Sequence, residues 1–127
     1  MGARERRKGH DFERKVARDL KEIDPSARRV LEYQEGLGYD IHLERLPIIV
    51  QVKSAKRVGF IAALQEAVEA KERLNIAHSS KLEARRERGV VEEKMPLAVC
   101  KVTGKGEYAI IRWADMLKLL KKVFIEV

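Results

Sequence analysis

The chain reads as an α/β fold, a mixed central sheet of about five strands flanked by helices. Three observations predict it: an amphipathic helical pattern near the start, a run near residue 50 that is apolar on both faces, and a glycine-rich turn near residue 104 between two apolar stretches. The implied order is helix, three strands, helix, two strands, helix. With 127 residues the chain has the size of one ordinary domain, enough to bury a core without disulfide staples. We therefore expect a single domain over residues 1–127.

Residues 1–8 carry Arg4, Arg6, Arg7 and Lys8 against one acid, Glu5, without apolar periodicity, and read as a flexible basic arm. From about residue 10 to 23, Phe12, Val16, Leu20 and Ile23 recur at helical spacing, so a helix buries that face. Asp24-Pro25 ends it. Residues 28–34 alternate as a strand does, and a turn, Glu35-Gly36-Leu37-Gly38, leads to a short strand around 39–43. After the turn Arg45-Leu46-Pro47, residues 46–53 form the central strand, with neighbours on both sides because both of its faces are apolar until Gln51.

Residues 59–76 predict an alanine-rich helix with Ile61, Leu64 and Val68 inward. Residues 78–94 are a charged insert, in which Ser80 and Glu83 make a capping box for a short helix over 81–88. Residues 97–102 and 108–113 flank Thr103-Gly104-Lys105-Gly106 as an antiparallel hairpin, and residues 114–122 close the domain as a helix.

Twenty-seven Lys plus Arg against twenty Asp plus Glu give a formal charge of +7, which favours a polyanionic partner such as nucleic acid. The single cysteine, Cys100, lies in an apolar run and reads as a small buried thiol, so no internal disulfide can form. No apolar stretch approaches the roughly 20 residues of a membrane span, and the charged start lacks the apolar core of a signal peptide. The expectation is a cytoplasmic protein. His10, His42 and His78 lack the spacing of a zinc site, and His42 reads as structural.

The chemistry concentrates in Ile48-Ile49-Val50-Gln51-Val52-Lys53. Strand side chains alternate, so Gln51 and Lys53 emerge on one face while Val50 and Val52 point to the other. Asp40, from the neighbouring strand, can reach the same spot. Asp40, the Gln51 amide oxygen and the Val52 backbone carbonyl are oxygen ligands of the kind Mg²⁺ takes, with Mn²⁺ as a substitute. Glu13, roughly 100° around its helix from Phe12, borders the buried stripe and can reach such an ion directly or through water. Lys53 then lowers the pKa of an attacking water or neutralises charge growing on a phosphate.

With a helical Glu13, a basic strand, a glycine turn, Asp40 and an apolar strand ending in Gln51-Val52-Lys53, the chain resembles the PD-(D/E)XK nuclease superfamily. Arg7-Lys8-Gly9 just ahead of Phe12-Glu13-Arg14, and the small size, look most like the archaeal-type Holliday-junction resolvases. The resemblance covers roughly residues 4–76. It implies a restriction-endonuclease-like fold and a Mg²⁺-dependent endonuclease that resolves four-way DNA junctions by paired hydrolytic nicks. Glu13, Asp40, Gln51 and Lys53 would be its catalytic residues, and Glu13, Asp40, Gln51 and Val52 its metal ligands. Two positions depart from the pattern: Tyr39 stands where the motif has proline, and Gln51 where resolvases usually have an acid.

Arg4, Arg6, Arg7, Lys8, Lys56 and Arg57 are the basic groups expected to hold DNA phosphates. A homodimer is the expected assembly, since two incisions related by two-fold symmetry need two sites. Its interface could draw on the hairpin and on Met116, Leu117, Leu119 and Leu120 of the closing helix. The rival readings are a duplex-cutting restriction-like or repair nuclease of the same superfamily, which Gln51 favours, and a non-catalytic basic DNA-binding module.

Overall fold

A computed structural model describes the backbone of residues 3–30, 39–77 and 94–125, and the side chains of residues 9–30, 39–73 and 94–125. Five strands form one sheet in the order β1-β2-β3-β4-β5: β1 (Arg28–Arg29), β2 (Ile41–His42), β3 (Ile48–Ala55), β4 (Met95–Val102) and β5 (Gly106–Ile111). The pair β3–β4 is parallel and the other three pairs are antiparallel, so the sheet is mixed and open. Three helices are described: α1 (Ala3–Lys21), α2 (Phe60–Ala77) and α3 (Trp113–Phe124).

The alternation of β3 and β4 sends their residues to two separate cores. On one face Phe12, Val16 and Ala17 of α1 pack with Val50 and Val52, and Leu97 and Val99 lie against them. On the other, Ala63 of α2 packs with Ala98 and Cys100. β3 is central, as its two apolar faces require, and Val50 has no exposed surface; burying a side chain of that size fully is worth about 1.5–3 kcal/mol. Cys100 is a buried free thiol whose pKa is raised by burial and drawn back by Lys53.

Several elements differ from the sequence reading. Helix α1 begins at Ala3, so residues 3–8 continue it and are not an arm; Ala, Arg, Glu and Lys are all good helix formers. The same helix stops at Lys21, which leaves Ile23 beyond it and 67% exposed. In α2 Ile61 is 77% exposed, and the fully buried positions are Ala63, Ala67 and Ala70. Small side chains let that helix lie close against the sheet. The turn over residues 35–38 and nearly all of the 78–94 insert lie outside the described residues.

Asp24 does more than end a helix. It is fully buried and accepts hydrogen bonds from the Ser26 amide (3.0 Å) and hydroxyl (2.6 Å) and from the amides of Arg45 (2.9 Å) and Leu46 (3.0 Å). The turn ahead of β3 is thereby fastened to the end of α1. The hairpin between β4 and β5 turns through Gly104 and Gly106, both at positive φ (77° and 115°), where only glycine is unstrained.

Candidate functional site

The site forms where β2 and β3 part. Asp40 immediately precedes β2; its amide donates to the Val50 carbonyl (3.0 Å) and its Oδ2 accepts from the Val52 amide (2.7 Å). Beyond this point no β2 residue pairs with β3, and the carboxylate occupies the ladder position a backbone carbonyl would fill. Amide and carbonyl of one strand residue point to the same edge, so the Val52 carbonyl also faces Asp40's side of β3. Burial pushes the Asp40 carboxyl up to about 6, with Glu13 and Glu66 adding to the rise and the Val52 amide and Lys53 opposing it.

Gln51 and Lys53 emerge together on the α2 face of β3. Both end on one carboxylate: Glu66 Oε2 accepts from Gln51 Nε2 at 3.1 Å and lies 2.8 Å from Lys53 Nζ. Gln51 Oε1 is buried and has no hydrogen-bond donor. Glu13 comes from α1, on the opposite face, where its Oε2 accepts from Arg29 Nε of β1 at 2.9 Å; both side chains are mostly buried. The site thus draws on both helical layers, with Asp40 between them.

No protein-family model, curated protein or solved structure matches this chain. What the chain does has to be read from these residues.

Of the four positions singled out in sequence, Asp40, Gln51 and Lys53 surround one stretch of β3, and Glu13 acts on Asp40 through its charge while anchored to Arg29. Glu66 and Arg29 were missed. Glu66 falls three residues after Ala63 and four before Ala70, on a stripe that only the fold shows to be the buried one. A charged residue on a buried stripe needs a partner.

Among the described residues no group of three His, Cys, Asp or Glu side chains could hold a metal ion. A cation here would instead rest on Asp40, Gln51 Oε1 and the Val52 carbonyl, with water completing its shell, which is how Mg²⁺ is commonly held. The donor set fits. All three donors are oxygens, the Glu13 and Glu66 carboxylates lie close enough to Asp40 to add to the rise that burial gives its pKa, and an unpaired buried amide oxygen is an atom that an ion or ordered water completes.

Lys56 and Arg57 follow β3 directly and are exposed. The side chains of Arg4, Arg6, Arg7 and Lys8 lie outside the described residues. His42 is structural: the Tyr39 hydroxyl and His42 Nδ1 are 3.0 Å apart and the rings stack. Burial, with Arg28 and Lys94 nearby, lowers the His42 pKa and favours the neutral ring. None of the described helices is long and apolar enough to cross a membrane.

Proposed function

We propose that this protein is a Mg²⁺-dependent endonuclease of the restriction-endonuclease-like fold, acting on branched DNA and most specifically on four-way junctions. The observation that supports the reading is that Asp40 accepts from the Val52 amide on the stretch of β3 from which Gln51, with its unpaired oxygen, and Lys53 emerge. Asp40, Gln51 and Val52 would hold the cation. When bound, Mg²⁺ supplies Lewis-acid stabilisation of the phosphate and makes water a stronger nucleophile.

The chain's own groups account for the remainder. Lys53, on the same strand face as Gln51, places a positive charge where charge grows on the phosphate. Glu13, fixed by Arg29, deepens the negative potential at Asp40. Lys56 and Arg57, beside the site strand, hold DNA phosphates together with Arg4, Arg6, Arg7 and Lys8, and the formal charge of +7 supports such a partner. Junction resolution calls for two incisions, and we take the working form to be a symmetric homodimer.

The test is cleavage of labelled linear duplex, single strand, flap and four-way junction, with and without Mg²⁺. Wild type should nick two opposing strands of the junction only with the cation. Asp40→Asn and Lys53→Ala should each abolish cutting while leaving DNA binding nearly intact, because binding comes from phosphate contacts spread over the basic surface. Wild-type rates in either variant would remove this site from consideration. Equal cutting of duplex and junction would instead identify the restriction-like or repair nuclease that Gln51 favours.

A further inference from the structure

We propose that Glu66 is a positioning residue of the cation site: it fixes the Gln51 amide with its oxygen as the free, buried end, it places the Lys53 ammonium, and it supplies the negative charge that a neutral glutamine at position 51 leaves out. This rests on the cation-site reading above.

The geometry makes the first point. An amide has a donor end and an acceptor end, and which one faces inward is decided by what the other meets. Glu66 Oε2 can only accept, so it takes Gln51 Nε2 at 3.1 Å and turns Oε1 toward the interior, where it has no donor. The reversed amide would set two oxygens against each other and bury an NH₂ group in place of the oxygen. The second point follows from the same atom, since Lys53 Nζ lies 2.8 Å from Glu66 Oε2. Gln51 and Lys53 are thus tied by one carboxylate from another element.

A surface ion pair alone would not explain the arrangement. Pairs as exposed as this one, with 41% of the Lys53 and 44% of the Glu66 side chain accessible, contribute little to stability. Such a pair has no need of the Gln51 amide. Glu66 also occupies the stripe of α2 that Ala63, Ala67 and Ala70 press against the sheet, so its backbone is held at a fixed distance from β3.

The decisive experiment titrates Mn²⁺ into the full chain, without DNA, and follows free Mn²⁺ by electron paramagnetic resonance. Wild type should bind, and Asp40→Asn should not. Glu66→Gln keeps the size of the side chain and removes its charge; it should weaken binding by about tenfold or more, as loss of a partner that orients a ligand does. Gln51→Glu in the Glu66→Gln background returns a charge to the strand and should restore affinity. If Glu66→Gln binds as wild type does, the inference fails and the cation site stands. If the affinity falls and the double variant does not recover it, Glu66 only supports the fold and the inference also fails. A wild-type chain that binds no Mn²⁺ overturns both.

Discussion

Two carboxylates with opposite histories set how the metal-free chain responds to pH. Asp40 has a folded pKa of about 6, above its ordinary 3.8, so the folded state binds more protons than the unfolded between these values. Stability therefore falls as pH rises through that window, and the penalty is complete above it. Asp24 behaves the other way: burial raises its pKa, but hydrogen bonds from Ser26, Leu46 and Arg45 outweigh this and hold it far below the usual range. Its contribution is present above about pH 4 and is lost as the solution becomes more acid. Urea denaturation without divalent cation should show these two groups placing maximum stability near pH 4, not pH 7. In the same assay Asp40→Asn keeps an acceptor for the Val52 amide and removes the buried charge, so it should stabilise the chain at pH 7 by on the order of 2–3 kcal/mol and by little below pH 4. Gln51 and Lys53 stood out in sequence because polar residues interrupt an apolar strand at a spacing of two, and Asp40 because it sits where a neighbouring strand can bring a carboxylate to them. Glu66 did not, because its meaning comes from the strand facing it, and a charged residue on an alanine-rich helix looks solvated until that strand is in place.

Among the elements, α2 brings Glu66 to Gln51 and Lys53, and its packing sets that distance. Ala63, Ala67 and Ala70 are almost completely buried, and each extra methyl there has to lift the helix off the sheet. Ala67→Leu should cost about 1–3 kcal/mol in thermal or urea unfolding. It should also weaken Mn²⁺ binding although it touches none of the site residues, because Glu66 moves with the helix. The loop after β3 offers a second test. Replacing Lys56 and Arg57 by alanine should flatten the salt dependence of junction binding, each lost phosphate contact removing about 0.9 from the slope of log K against log salt. The central strand, both hairpin strands and all three helices could be read in sequence, since period-two and period-3.6 patterns and glycine turns are local. In α2 the sequence placed Leu64 rightly, since it packs against the Ala63, Ala98 and Cys100 core, but it could not show that Ile61 lies outside and that Ala63, Ala67 and Ala70 make the closest contact. It also gave no sign that helix α1 continues back to Ala3, where charged residues sustain a helix without an apolar stripe.

For the whole molecule, the apolar face of α3 stands out. Trp113 is 70% exposed, Val123 60% and Phe124 77%, with Leu117 and Leu120 on the same helix at 38% and 39%; the only buried residue of α3 is Asp115, bound to Arg112 at 2.8 Å. Beside it β5 has an open edge among the described strands. If the proposed dimer uses this face, sedimentation should give twice the chain mass at micromolar concentration. Leu117→Glu should give a folded monomer that binds junctions more weakly. A monomeric wild type with equal affinity for duplex and junction would remove the dimer and favour duplex cutting. The parallel pairing of β3 with β4 carries one more consequence, for a chain being made. Glu13, Arg29, Asp40, Gln51, Lys53 and Glu66 all come before α2 ends, yet β3 is closed on its second side only by Met95–Val102. A nascent chain would expose every one of these side chains well before it has the strand that stiffens them, and this nonlocal contact is the slow kind to form. Whatever this site does therefore waits until β4 has been made and has paired with β3.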